Sequence, residues 1–167
     1  MQPGNDMSAA FVHLLILVIA ANSTPVLLAR CMGDTLAHPI DFGRNFIDGR
    51  PLLGKSKTWR GLLVAVIVCA VIAPVMGYPF QIGAYAGARA MLGDMLSSFT
   101  KRRLGLDASA QALFIDQIPE SLLPALLLKP AFDLSWLEVG LLAASFTVLC
   151  VVFSKLFFRL GIRRKPY

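Results

Sequence analysis

Asp94 lies in the run Gly93-Asp94-Met95-Leu96-Ser97-Ser98-Phe99-Thr100-Lys101-Arg102-Arg103, and Asp116 lies in Asp116-Gln117. Both are carboxylates in sequence apolar enough for a bilayer. A charge at that depth is costly, so an acid retained there is a functional residue by default. Glu120 follows Asp116 by four residues and shares its helical face. Two converging carboxylates repel unless a proton or a cation lies between them, and hard oxygen ligands suit Mg²⁺ better than a soft transition metal. Lys101, Arg102 and Arg103 add anion-binding groups, as do Lys55, Lys57 and Arg60 upstream. No Ser–His or Cys–His arrangement offers a protein nucleophile. The set suits phosphoryl or nucleotidyl transfer, where positioning and charge neutralisation supply most of the catalysis. The rival use of Asp94, Asp116 and Glu120 is a relay in a small cation or proton-coupled transporter. The acids lie toward one side and no internal repeat is visible, which weighs against it.

These residues need a membrane frame. The 167 residues are 56% hydrophobic and only 16% charged, with a mean hydropathy of +0.66. That excludes an ordinary soluble domain and indicates one all-α membrane domain over 1–167. The net charge of +6 could serve nucleic acid, anionic lipid or topology. Cys31, Cys69 and Cys150 form no CxxC pair and read as small hydrophobes. His13 and His38 have no ligand-type partner at helical spacing, so no metal is expected there.

Five spans are predicted, at about 7–29, 62–78, 81–100, 110–128 and 137–158, with a long polar loop over 30–60. Asn22-Ser23-Thr24-Pro25 interrupts the end of the first, as a kink or as a polar notch facing the site. The third is weakly hydrophobic. At about 100° per residue, Gly83, Gly87, Ala90, Asp94, Ser98 and Lys101 share one stripe, and Gly83-xxx-Gly87 lets another helix approach closely. Arg89 lies away from that stripe, where it either snorkels or pairs with an acid. With five spans, fourteen of the sixteen Lys and Arg fall on one side: Arg30, Arg44, Arg50, Lys55, Lys57 and Arg60, then Lys101 to Arg103, then Lys155, Arg159 and Arg163 to Lys165. Asymmetry of this kind indicates topology rather than nucleic-acid binding, with the N-terminus outside and the C-terminus cytoplasmic. Asp94 then lies about 10 Å below the cytoplasmic boundary and Asp116 about 6–9 Å deep, on adjoining helices.

Gly49-Arg50-Pro51-Leu52-Leu53-Gly54-Lys55-Ser56 matches the expression G-x-x-x-x-G-K-[ST]. No apolar strand precedes it, and Pro51 lacks an amide for cradling phosphate, so a P-loop fold is not expected. Phosphate binding by some other geometry is.

Pro39-Ile40-Asp41-Phe42-Gly43 and Asp48-Gly49-Arg50-Pro51-Leu52-Leu53-Gly54-Lys55-Ser56-Lys57-Thr58-Trp59-Arg60-Gly61 together resemble the cytoplasmic loop of the CDP-archaeol synthase family. Gly93-Asp94 with Ser98 and Lys101-Arg102-Arg103, followed by Asp116-Gln117, is similar to the core this family shares with phosphatidate cytidylyltransferases. The resemblance covers about Asn22 to Glu120 and implies a bacterial or archaeal membrane enzyme. Its implied reaction joins CTP to a phosphorylated glycerolipid, giving a CDP-lipid and pyrophosphate with Mg²⁺ at the inner face of the cell membrane. It further implies catalytic roles for Asp94, Asp116 and Lys101, and Asp94, Asp116 and Glu120 as metal ligands. Substrate contacts would come from Asp48, Gly49, Lys55, Lys57, Thr58, Arg60, Ser98, Arg102 and Gln117. Pro119 stands where the phosphatidate enzymes have a second Asp, and Ser56 where a Gly is expected. Homo-oligomer formation is left open.

Overall fold

A computed structural model describes residues 7–107, 112 and 114–159. Five helices carry them: α1 (Met7–Met32), α2 (Trp59–Val75), α3 (Phe80–Arg103), α4 (Gln117–Leu128) and α5 (Trp136–Arg159). The all-α reading holds, and the helices track the predicted spans with shifted ends. The beginning of span four and the basic residues Arg163, Arg164 and Lys165 lie outside the described residues.

Each shifted end has a local cause. α1 runs through Pro25 to Met32 without a break. α2 starts earlier than expected because Thr58 caps it, its hydroxyl accepting from the Gly61 amide at 3.3 Å. α3 extends to Arg103, so three cations occupy the last turn, where the helix dipole favours them. α5 opens on a reciprocal cap: the Ser135 amide donates to Glu138 Oε2 at 2.7 Å, and the Glu138 amide donates to Ser135 Oγ at 3.2 Å.

The fourth helix corrects the expectation most. It begins at Gln117, with Asp116 at its N-cap rather than several residues inside. Pro119 explains this. It has no amide to donate, so it fits without cost only in the first turn, where amides have no helical acceptor. Twelve residues span only about 18 Å, short of a bilayer's hydrocarbon core. Among the described residues, Ala9–Met32 and Trp136–Lys155 are long and apolar enough to cross a membrane by themselves, and Trp59–Val75 is a shorter apolar helix. α3 is long enough, but its inward stripe of Gly, Ser and charge lowers its hydropathy.

α3 packs between α2 and α4, with α1 against α2 and α3 and α5 against α4. Lipid tails give apolar helices no hydrophobic reason to associate, so close backbone packing must hold them. The predicted stripe provides it. A Cβ on Gly83 would lie 2.1 Å from the Cys69 carbonyl oxygen, and one on Gly87 would lie 2.8 Å from that of Ala65. A Cβ on Gly93 would meet the Pro119 oxygen at 2.1 Å. So α3 is in backbone contact with α2 along its first half and with α4 beside Asp94. Leu14, Leu17 and Val18 of α1 and Leu142 and Phe146 of α5 complete the core.

Candidate active site

α3 brings Asp94 to its inward face, where the Lys57 ammonium from the loop donates to both carboxylate oxygens at 2.6 Å. Two turns further on, Lys101 reaches Asp116 at the start of α4, at 3.0 Å to Oδ1. Glu120, one turn into α4, lies against Asp94 and within electrostatic reach of Lys57 and Asp116. These residues line one cavity of about 950 Å³. Its walls come from the end of α1, the start of α2, the end of α3, the start of α4 and the second half of α5. An up-and-down order of the five helices places those five stretches at one end of the bundle.

The structure sorts the residues expected to bind substrate. Lys55, Lys57, Thr58, Arg60, Ser98, Lys101 and Gln117 line the cavity. Arg60 also ties the loop to the end of α1, donating to the Gly33 and Thr35 carbonyls, while Gln117 Oε1 accepts from the Phe114 amide at 3.1 Å. Asn22, Ser23 and Pro25 line it too, so the interruption in α1 is a polar notch toward the site. Asp48, Gly49 and Arg102 are not among the lining residues. Asp48 is ion-paired to Arg103, Gly49 turns a hairpin at φ +76°, and Arg102 donates to the Leu106 carbonyl. Of these, Asp48 holds the loop against α3, while Arg102 bonds just past the end of that helix.

The metal expectation also changes. Among the described residues, no three Asp, Glu, His or Cys side chains are gathered as a metal group. Asp94, Glu120 and Asp116 share the cavity, but a lysine sits on each aspartate. The donor set is nevertheless all oxygen. The Lys57 ammonium is equally close to both oxygens of Asp94, so a metal ion there would take the place of that lysine. Among the described residues Arg89 pairs with no acid in this way: its guanidinium lies 5.1 Å from the Tyr85 ring centroid, and its buried Nη1 has no hydrogen-bond partner there.

Sequence reasoning misses Asp41 as a functional residue. Its Oδ2 accepts from the amides of Leu53 and Gly54, both at 2.9 Å, and its Oδ1 from Gly43, also at 2.9 Å. The Gly43, Leu53 and Gly54 amides are therefore already given to an internal carboxylate, in keeping with the expectation that Gly49–Ser56 is not a P-loop. Burial alone would raise the pKa of Asp41, but the amides of Gly54, Leu53 and Gly43 hold it below its ordinary value. Gly54 needs its φ of +94° to present that amide. The signal is an aspartate twelve residues before Leu53, in a stretch with no helical or strand period. Ser97, fully buried and donating to the Asp94 carbonyl at 3.1 Å, is missed as well.

The family model described as CarS-like, CDP-archaeol synthase, matches residues 7–167. The chain belongs to the CDP-archaeol synthase family. A CDP-archaeol synthase of Hyperthermus butylicus is 44% identical over 110 residues, 62% of each chain. One of Sulfurisphaera tokodaii is 48% identical over 85 residues, 48% of this chain and 51% of that protein. The matches thus span less than two thirds of the length of these two family members. A solved structure of an intramembrane enzyme for archaeal membrane lipid biosynthesis superposes with a TM-score of 0.66 at 28% identity, covering 84% of this chain and 90% of that one.

Proposed function

We propose that this chain is a CTP-dependent cytidylyltransferase of the cell membrane, crossing it several times with the site on the cytoplasmic side. A phosphate oxygen of a glycerol-lipid phosphate, archaeol-phosphate-like or phosphatidate-like, attacks the α-phosphorus of CTP. The bond from that phosphorus to its β-bridging oxygen breaks, so a CDP-lipid forms and pyrophosphate leaves. The supporting observation is that two Lys–Asp pairs, Lys57–Asp94 and Lys101–Asp116, face one cavity between the basic loop and the helix ends.

Both substrates are anionic, and each lysine can exchange its carboxylate for a phosphate oxygen. Lys55, Lys57 and Arg60 line the loop side and Lys101 the helix side, so negative charge on the triphosphate is met from two directions. Ser98 and Gln117 add hydrogen-bonding groups, and Thr58 holds the start of α2. Mg²⁺, when bound, neutralises the triphosphate and the departing pyrophosphate; Asp94 and Glu120, with Asp116, would hold it. Ile19 and Val26 of α1 and Phe146, Leu149 and Phe153 of α5 give the cavity an apolar wall suited to a lipid's chains.

The test uses purified protein in detergent with Mg²⁺, CTP and, side by side, an ether and an ester glycerolipid phosphate. CDP-lipid and pyrophosphate are expected in equal amounts, and Asp94→Asn should abolish both while the protein still folds. Absence of product from either lipid, together with proton flux in liposomes, overturns the proposal in favour of a transporter.

A further inference from the structure

The loop carries apolar side chains in a place the proposed chemistry does not use. A bridge between Asn45 and Pro51 closes a hairpin, held by the Leu52 amide on the Arg44 carbonyl at 2.9 Å and the Phe46 amide on the Arg50 carbonyl at 2.8 Å. At its tip Ile47 is 95% exposed. On a loop at the water side, the exposed Ile47 beside Phe46 offers apolar area that an apolar cover would bury favourably.

Where the hairpin is docked indicates the cover. Phe46 meets Phe99 edge-on at 5.3 Å, and the Arg103 guanidinium lies 4.8 Å from the Phe46 ring and 4.9 Å from the Phe99 ring. Arg103 also pairs with Asp48 and donates to the Pro51 carbonyl, while Arg50 donates to the Arg103 carbonyl. At about 100° per residue, Phe99 and Arg103 fall on the stripe of Tyr85, Leu92 and Leu96. That stripe is opposite Asp94, and Leu96 on it is 52% exposed. It is the face α3 turns away from the bundle. Phe99 lies about 6 Å inside the end of the helix, within the depth at which interfacial side chains sit.

We infer that the 44–52 hairpin is a membrane-interface anchor, with Ile47 and Phe46 seated in the boundary of the cytoplasmic leaflet beside the exit of α3. Lipid is the occupant because the hairpin packs through Phe46 on Phe99, which lies on the exposed apolar stripe of α3. α3 must cross the bilayer for the anchor to work. The loop thereby gains a second attachment, so that Lys55 and Lys57 are carried by a segment held to α3 and to the membrane surface together.

A nitroxide at Ile47→Cys, in a Cys31→Ser, Cys150→Ser background reconstituted in liposomes, tests this. Collision with oxygen should rise and collision with a water-soluble nickel chelate should fall, relative to the free label in water. The same label at Leu96→Cys checks the span itself. Oxygen access at Leu96 with full nickel access at Ile47 overturns the anchor while leaving the span. Nickel access at Leu96 removes the premise that α3 crosses the bilayer, and the anchor with it. Protection of Ile47 from both reagents means a protein contact covers it, which also overturns the inference.

Discussion

Asp94 and Asp116 each pair with a lysine, but the two lysines arrive by different routes. Lys57 comes from a loop and stands 37 positions from its aspartate. Lys101 comes from the last turn of α3, 15 positions from Asp116. The first pair can open whenever the loop shifts. The second joins two helix ends whose approach is fixed by Gly93 against the Pro119 carbonyl, so it opens by the lysine side chain swinging away rather than by a shift of the backbone. Both lysines can turn to an anion in the cavity, Lys57 with its loop and Lys101 by rotation of its own side chain.

This contrast can be broken in several places. Asp94→Asn removes the carboxylate that the movable lysine leaves behind, and turnover should fall by about 10³-fold or more, measured as CDP-lipid formed at saturating CTP. Gly93→Leu has no room beside Pro119, so it should separate α3 from α4 and disturb both pairs. A lower melting temperature and a loss of turnover of about 10²-fold are expected, and an unchanged melting temperature would count against the packing account. Lys101→Ala and Lys57→Ala sharpen the comparison. Both should lower turnover by about 10²-fold, and both should lower the melting temperature, because each leaves an aspartate of similar burial without its cation. Adding Asp94→Asn to Lys57→Ala should cost far less than the product of the single effects, since the two residues act as one unit.

The smallest effect belongs to Asp41. Asp41→Asn replaces one acceptor oxygen by a donor facing either the Leu53 and Gly54 amides or the Gly43 amide, and should raise the KM for CTP by about tenfold while leaving the helices intact. Its pH dependence follows from the lowered pKa. The stabilisation is fully present above the ordinary value of 3.8 and is lost as pH falls through the lower folded value. Amide exchange at Gly54 should therefore accelerate only in that acid range, and the Asp41→Asn protein should show no such step.

What is legible in the sequence follows periodicity. The stripe from Gly83 to Lys101 is read from a 3.6-residue repeat, and the structure buries nearly all of it around Asp94. The start of α4 is misjudged because the apolar run suggests a full span, whereas Pro119 fixes the first turn. Ser135-Trp136-Leu137-Glu138 carries a readable capping pattern that the hydropathy of span five hides. The loop is the least legible part. Its order comes from one carboxylate collecting distant amides, and from Arg103 between two aromatic rings, neither of which has a period. The G-x-x-x-x-G-K-S match, set aside for want of a preceding strand, is no guide either: the spacing of types says nothing about which anion the amides face.

The order in which the ribosome makes these residues adds a consequence. Lys57 is already synthesised when Asp94 emerges, and Lys101 when Asp116 does, so in both pairs the cation precedes the acid. A lysine ahead of its partner can remain in water at the membrane surface, whereas an acid carried toward the bilayer alone would have nowhere inexpensive to reside. The lysine partners of Asp94 and Asp116 are therefore already made when these two acids emerge, and each can meet its counter-ion on arrival.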